Sequence, residues 1–348
     1  MLMLPSLGRS LPCPLFRRVA FVALGAWISA GRAGAVEPLQ GAASLPAPLA
    51  WQEPAPLARL FLQLPFEAPE VLRERTLEIG VRLLYSNSLL SAHNDQLTLD
   101  VHVETAQPTV WIRYGLVPGI EAQVALPFIV DYGGVLDQPI EVVEGWFAFS
   151  NPQRKGRPRN VAHFQLTRPD GSGILRDGPG SGLGDAWAAL KVMVVGGAGS
   201  RGSLALRGAL KLPTGKLPYG SEELDVGGSL LAGWTWTSTA VRLQLDALVP
   251  AASLPAVRIH THVYGAIDLG ITQRLSDRVA LQVQASGHVS PLTGTGLDQL
   301  DASTAYVLGG VTVALASCVS ADIGLVENIF SPYRGADITF LLAVKEAL

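Results

Sequence analysis

The sequence is poor in charged residues and has no unbroken apolar run long enough for a membrane-spanning helix. Charged residues make up 16% of its 348 residues, compared with about 25% in a typical soluble domain. The apolar run Val19–Ala30 is too short to cross a bilayer core of ~30 Å as a helix. These shortages count against an ordinary soluble domain and against a helical membrane protein. The net charge of −3 gives no reason to expect a nucleic-acid partner.

The N-terminal residues have the parts of a secretory signal. Arg17 and Arg18 follow Arg9 in a basic region, the apolar run comes next, and residues 33–35 are a small-x-small cleavage site. We therefore predict a signal peptide over residues 1–35. A membrane anchor is the alternative, and the short run disfavours it. An exported chain without spanning helices can be a soluble periplasmic protein or an outer-membrane barrel.

Residues 36–72 are rich in Pro and Ala, with repeated X-Pro steps. Such steps favour extended or turn backbone over a helix or a central strand. We expect this segment to be an extension that lies in the periplasm or enters the lumen of the domain that follows, residues 73–348.

Apolar and polar residues alternate along many stretches of that domain, for example Val241–Asp246 and Leu281–Ser286. Period-two alternation places the two sets on opposite faces of a strand. Here the polar face carries charges, as expected when apolar residues face lipid and polar residues face a lumen. A soluble sandwich would instead bury its apolar face against a second sheet. The low aromatic content of 7% counts against the aromatic girdles of a barrel.

Connection lengths give a topology. Short turns, such as those at 115–118 and 275–278, alternate with mostly longer loops, the longest at about 132–182. Bacterial barrels have short periplasmic turns and longer extracellular loops. We predict an all-β, transmembrane, antiparallel up-and-down β-barrel of about 12 strands, with both termini on the periplasmic side.

Five motifs resemble an uncharacterised bacterial outer-membrane β-barrel family, the domain of unknown function 3187 family. The resemblance runs from about Leu77 to the C-terminus, and it implies a barrel in the outer membrane without naming a reaction. The motifs are Tyr114-Gly115-Leu116 with Gly119-Ile120-Glu121, Leu126-Pro127-Phe128, Gly133-Gly134-Val135-Leu136-Asp137 with Ile140-Glu141, Gly182-Leu183-Gly184-Asp185 with Leu190-Lys191, and Leu210-Lys211-Leu212-Pro213-Thr214-Gly215.

In the strand after residue 97, the apolar residues change from odd-numbered to even-numbered positions. If Leu97, Leu99, Val101 and Val103 face lipid, the residues that face lipid from Val110 onward are the even-numbered ones. We expect a β-bulge near Pro108 to cause this change, which would place Asp100 and Glu104 inside the barrel.

The predicted inner face carries charges of both signs. These side chains would line a polar conduction path, or they would fill a closed lumen with ion pairs and hydrogen bonds; the sequence leaves both open. The lumen-lining candidates are Glu78, Arg82, Asp100, Glu104, Arg113, Glu121, Asp185, Lys191, Arg207, Lys211, Arg242, Asp246, Gln282 and Gln284.

Three further candidate sites follow from short motifs. Arg154, Lys155, Arg157 and Arg159 lie in the long loop, where they suit the phosphates of lipopolysaccharide or form an ordinary solvated loop. His288 and Ser290 have the spacing that a barrel phospholipase uses, but their parity points them inward, away from lipid. Rim histidines such as His260 and His262 could ligate a metal, although solvated side chains are the simpler interpretation.

The sequence therefore favours an outer-membrane pore or transporter for small or apolar molecules, with no catalytic residues and no cofactor. The alternatives are a lipid-acting enzyme and a closed structural or binding barrel. The expected partners are outer-membrane lipids, the barrel-assembly machinery and an unknown small solute.

Overall fold

The computed structural model describes residues 45–147, 154, 156–197, 200–251, 253–254, 256–328 and 334–348. The predicted signal peptide and the first part of the Pro/Ala-rich segment lie outside these residues. Within them, no helix is long and apolar enough to cross a membrane.

Twelve long antiparallel strands in the described residues form a closed barrel, which confirms the predicted fold class. Each strand pairs with the next along the chain, and the first pairs with the last. The strands are β1 Leu77–His93, β2 Thr98–Val117, β3 Ile120–Tyr132, β4 Ala186–Val195, β5 Gly202–Leu212, β6 Asp225–Thr235, β7 Thr239–Val249, β8 Tyr264–Arg274, β9 Val279–His288, β10 Thr304–Ala314, β11 Val319–Glu327 and β12 Ile338–Ala347.

The alternation in sequence becomes a division between the two faces of the wall. Val81 and Ile267 on the outside are 50% and 52% exposed, whereas Glu121 and Lys191 on the inside are fully buried. An apolar outer face with a polar inner face is the arrangement of a barrel in lipid.

One end of the barrel has short turns, at 118–119 between β2 and β3 for example, where Gly119 has a φ of 82°. We call it the short-turn end. The opposite, long-loop end carries the connections 133–185, 213–224, 250–263, 289–303 and 328–337. The β1–β2 connection, also at this end, is only 94–97, because both strands extend farther than predicted.

The longest connection, between β3 and β4, has structure of its own. It contains helix α1 (Asp137–Phe147) and three short strands, His163–Thr167, Gly173–Asp177 and Gly180–Leu183. The first of these strands pairs with the start of β2 and widens the wall at the long-loop end. Elsewhere at this end are helix α2 (Asp298–Asp301) and the small ribbon of Ser253–Leu254 with Ile259–His260.

The predicted bulge near Pro108 is wrong. Pairing between β1 and β2 runs without a shift from Leu77 opposite Tyr114 to His93 opposite Thr98, so parity does not change along β2. Asp100 and Glu104 therefore lie on the outer face, whereas Leu97, Leu99, Val101 and Val103 point inward into an apolar cluster. The sequence argument failed because β2 has 20 residues, about twice the length that spans a bilayer. Beyond the membrane, an apolar side chain need not face outward.

Candidate functional site: a plugged lumen

Residues 45–72, which we call the plug, lie inside the barrel. Arg242 of β7 donates to the Pro46 carbonyl near the short-turn end. The chain then rises to a short 3-10 helix, Ala58–Leu60, at the long-loop end. It descends to Leu72, whose N–H donates to Glu121 at 2.7 Å, close to the β2–β3 turn. The plug is thus a hairpin that is joined to β1 at its descending end.

The two arms of the hairpin are bonded to each other through Gln63. The Glu53 N–H donates to the Gln63 side-chain oxygen at 2.6 Å, and the Gln63 amide donates back to the Glu53 carbonyl at 3.0 Å. Prolines at 46, 48, 54, 56, 65 and 69 keep the arms from joining the sheet, since proline has no N–H for a ladder. The plug carbonyls must therefore find donors elsewhere.

The wall supplies those donors from long side chains on its inner face. Gln282 donates to the Ala47 carbonyl at 3.0 Å, Arg207 to Pro65 at 3.1 Å and Gln244 to Leu64 at 3.2 Å. Further wall-to-plug hydrogen bonds join Arg82 to Ala50 and Gln52, and Lys211 to Leu60. These bonds satisfy an extended backbone that would otherwise be buried without partners.

The plug residue Glu67 contacts three side chains of the wall. Its Oε2 lies 3.1 Å from Lys191 Nζ and accepts from the Gln123 amide at 2.8 Å. Its Oε1 lies 3.2 Å from Arg207 Nη1. Lys191 on β4 and Arg207 on β5 are direct cross-strand partners, so both cations reach the same point in the lumen. We call Lys191, Arg207 and Gln123 the clamp.

The tip of the plug is held by a second ionic contact and by apolar packing. Arg59 forks onto Asp131, with N–O distances of 2.8 and 2.6 Å, and the Leu62 N–H donates to Asp225 at 2.8 Å. Around them, plug side chains such as Leu60 pack with the inward-facing apolar residues of β2, including Leu99. The tip therefore packs against the start of β2, whose apolar side chains were predicted to face lipid.

Two cavities among the described residues border the plug and have volumes of about 40 and 80 Å³, below the ~300–1,000 Å³ of a typical ligand pocket. Neither is large enough to hold a ligand of that kind.

The structure places most of the predicted lumen-lining side chains on the inner face. Asp100 and Glu104 are the exceptions described above. Glu67, Arg59, Gln123, Asp131, Asp225 and Gln244 were missed as site residues, although the last four follow the period-two pattern. The predicted candidates that lie on the inner face are Glu78, Arg82, Arg113, Glu121, Asp185, Lys191, Arg207, Lys211, Arg242, Asp246, Gln282 and Gln284.

Some of these charges are paired within the wall. Arg113 forks onto Glu121 at 2.8 and 3.0 Å and also bonds Glu78 at 3.0 Å. Lys345 pairs with Asp322 at 3.0 Å. These pairs need no plug, in contrast to Arg82, whose hydrogen bonds described above all go to it.

Arg154, one of the predicted lipopolysaccharide contacts, is buried at the base of the β3–β4 connection. Arg154 donates to Asp137 at 2.8 Å and to Asn87 at 2.7 Å, and it also pairs with Asp337. His102 Nε2 lies 3.0 Å from the other Asp137 oxygen. We call Asn87, His102, Asp137 and Arg154 the outer cluster, because it fixes the β3–β4 connection to the outer face of β1 and β2.

The other members of that basic run are placed differently. Arg157 bonds Asp100 at 2.6 Å, and Arg159 bonds Glu141 at the surface. Lys155 lies outside the described residues.

The Asp137 carboxylate has a perturbed acidity. Burial acts to raise its pKa, but hydrogen bonds from His102 and from the Asn160 N–H, together with the charge of Arg154, outweigh burial and leave the pKa well below its usual range.

His288 and Ser290 do not form a nucleophile–base pair. The Ser290 hydroxyl donates to the Leu300 carbonyl. His288 Nε2 instead lies 2.7 Å from Ser286, whose hydroxyl donates to Asp268 at 2.5 Å. Here the serine stands between the acid and the imidazole, whereas in a catalytic triad the imidazole stands between the acid and the serine. Within the described ranges, no group of three His, Cys, Asp or Glu side chains is placed to hold a metal.

Comparison with known proteins gives a family and a shared fold. The family model described as "Protein of unknown function (DUF3187)" matches residues 33–346. The chain therefore belongs to this family, as the sequence motifs predicted. No protein of curated function matches the sequence.

Among solved structures, the COG4313 outer membrane channel from Pseudomonas putida F1 has a TM-score of 0.54 at 13% identity, over 80% of this chain and 97% of that chain. The NanC porin has a TM-score of 0.46 at 6% identity, over 78% of this chain and 100% of that chain. The toluene transporter TodX of Pseudomonas putida has a TM-score of 0.37 at 7% identity, over 86% and 98%. The first likeness shows a shared barrel fold.

Proposed function

We propose that this member of the DUF3187 family is an outer-membrane channel for a small solute, closed at rest by its plug. The lipid-facing outer surface supports the location, and we expect the chain to reach it through a cleaved signal peptide and the barrel-assembly machinery. Around the wall, outer-membrane lipids would contact the exposed apolar belt.

One observation carries the proposal: many side chains of the inner wall form hydrogen bonds with the plug, a single continuous segment, rather than with one another. A lumen meant to stay closed can be filled by the side chains of its own wall. Here the filling is a hairpin joined to the wall at β1. Its displacement would leave a polar lumen of twelve strands, a width between the filled and the open classes of barrel.

A closed binding or structural barrel is the second candidate, and the small cavities beside the plug favour it. The two candidates differ in whether the plug leaves its site. Breaking the contact at the plug tip from the wall side separates them, because the plug sequence then stays intact.

The test is single-channel recording of the full chain in planar bilayers, with Asp131→Ala as the variant. Removal of a buried ion-pair partner costs about 3–5 kcal/mol, so we expect the open fraction to rise by ~100-fold or more. Asp100→Ala is the matched control, since Asp100 pairs with Arg157 on the outer face, and it should record like the parent. If Asp131→Ala is folded in the membrane and as silent as the control, the channel is ruled out in favour of the closed barrel.

A further inference from the structure

The clamp has the features of a binding site for a carboxylate group that the plug occupies with its own Glu67. Lys191, Arg207 and Gln123 are each at most 2% exposed. They approach the two oxygens of Glu67 from three neighbouring strands, β3, β4 and β5. We propose that the clamp is the solute-recognition site of the channel, and that the solute carries a carboxylate. This inference rests on the proposed function.

Two buried cations of the wall meet at this point. Lys191 and Arg207 stand directly opposite each other on adjacent strands, and like charges in that arrangement repel. Burial increases the repulsion, because the local dielectric is lower than that of water. An anion between the two cations removes this cost.

Two wall carboxylates lie near the clamp, and each is within ion-pair distance of only one of its cations. Glu121 lies 3.4 Å from Lys191, but both of its oxygens are already bonded by Arg113. Asp246 is 4.0 Å from Arg207 and accepts from the Gln244 amide at 3.0 Å. Glu121 thus pairs with Lys191 and Asp246 with Arg207, whereas Glu67 supplies one oxygen to each cation.

The geometry selects a carboxylate over a neutral oxygen group. Glu67 gives one oxygen to Arg207 and the other to Lys191 and Gln123, so both oxygens carry charge-assisted contacts. A neutral amide would place an N–H against one of the cations. A carboxylate solute would compete with Glu67 for the clamp, and its binding would favour the displaced plug.

The test uses the full chain with Glu67→Ala, which empties the clamp without altering it. Glu70→Ala is the matched control: Glu70 is a plug carboxylate that is half exposed and 3.9 Å from Arg242, outside the clamp. The probes are sodium acetate and acetamide at equal chloride and ionic strength. Thermal unfolding of the detergent-solubilised protein is the readout.

We expect acetate to raise the unfolding midpoint of Glu67→Ala by about 2–4 °C, with no such effect of acetamide. The Glu70→Ala control and the double variant Glu67→Ala/Arg207→Gln should show no acetate response beyond that of acetamide. Equal responses to acetate and acetamide in Glu67→Ala, or an equal acetate response in Glu70→Ala, would overturn the proposal.

A second measurement covers the case in which Glu67→Ala does not fold. Acetate should make the plug of the unaltered chain more susceptible to limited proteolysis and acetamide should not; equal susceptibility would refute the clamp, whether or not the barrel conducts. The outcomes also separate the two proposals. If acetate stabilises Glu67→Ala but the barrel never conducts, the clamp is a carboxylate site and the channel proposal is wrong. If the barrel conducts but acetate has no effect, the channel proposal stands and the clamp proposal is wrong.

Discussion

Two segments outside the barrel wall are fixed to it by buried polar contacts, the plug on the inside and the β3–β4 connection on the outside. The outer cluster joins side chain to side chain, as between Arg154 and Asp137. The plug is held largely through its backbone carbonyls, as between Gln282 and Ala47. The charged side chains of the outer cluster face particular partners, whereas a donor beside an extended segment can bond to another carbonyl if that segment shifts. We therefore expect the inner attachment to tolerate movement better than the outer one.

The largest effect should come from Arg59→Ala, which removes the ionic contact of the plug tip. Arg59 and Asp131 have side chains that are 3% and 5% exposed, so we expect a loss of about 3–5 kcal/mol in plug docking. Limited proteolysis should then cut the plug while the barrel stays intact. A plug as resistant as that of the parent chain would show that the tip contact does not hold it.

Asp137→Asn should weaken the outer cluster by about 3 kcal/mol, the lower end of the range for a buried pair, because Asp337 still accompanies Arg154. Urea unfolding in detergent measures the loss, and channel recordings should not change. An altered open fraction would contradict the distinction between the two attachments.

Acidification should weaken the outer cluster, as Asp137→Asn does. The pKa of Asp137 in the folded protein lies below its ordinary value of 3.8. Its stabilising contribution is therefore complete above that value and is lost as the pH falls below it. The stability difference between the parent and Asp137→Asn should shrink on acidification, and a difference independent of pH would show that the carboxylate charge plays no part.

Arg82→Gln should cost about 1.5–3 kcal/mol of plug docking, the range for hydrogen bonds to a charged group. The matched change on the plug, Ala50→Ser, keeps the carbonyl that Arg82 contacts and should stay within about 0.5 kcal/mol. The open fraction in bilayers reports both. If Ala50→Ser were the more damaging, attachment through the backbone would be refuted.

The smallest effect should come from Arg159→Ala. Arg159 pairs with Glu141 at the surface, where its side chain is 54% exposed, and such pairs contribute about 0–1 kcal/mol. Urea unfolding should match that of the parent chain. A loss as large as that of Asp137→Asn would show that surface charges also fix the connection.

The wall of the barrel could be predicted from sequence because, wherever a strand crosses lipid, the apolar residues of the alternating pattern face outward and the polar residues face inward. Lys191 and Arg207 were placed inside on that ground alone. The rule failed on β2, where Leu99 and Val101 face the plug tip and Glu104 faces the β3–β4 connection. There the environment of each face is set by distant chain segments that local periodicity does not encode.

The occupant of the lumen was harder to predict than its lining. The Pro-rich segment has no period, so its entry into the lumen remained one of two expectations. Glu67 and Arg59 gave a weak signal, as two of the few charges within a largely apolar stretch. Arg154 was misplaced for the converse reason, because a basic run in a loop reads as exposed until its buried acidic partners are known.

The seam between β1 and β12 has a consequence for assembly. It joins the first strand to the last, and the plug leaves the lumen only a few residues before β1, from Leu72 to Leu77. A slip of one residue at this seam would turn the side chains of β1 to the opposite face. It would also draw the tethered arm along the barrel axis and move Glu67 away from its donors. The register of this one strand pair thus sets both the closure of the barrel and the position of Glu67 at the clamp.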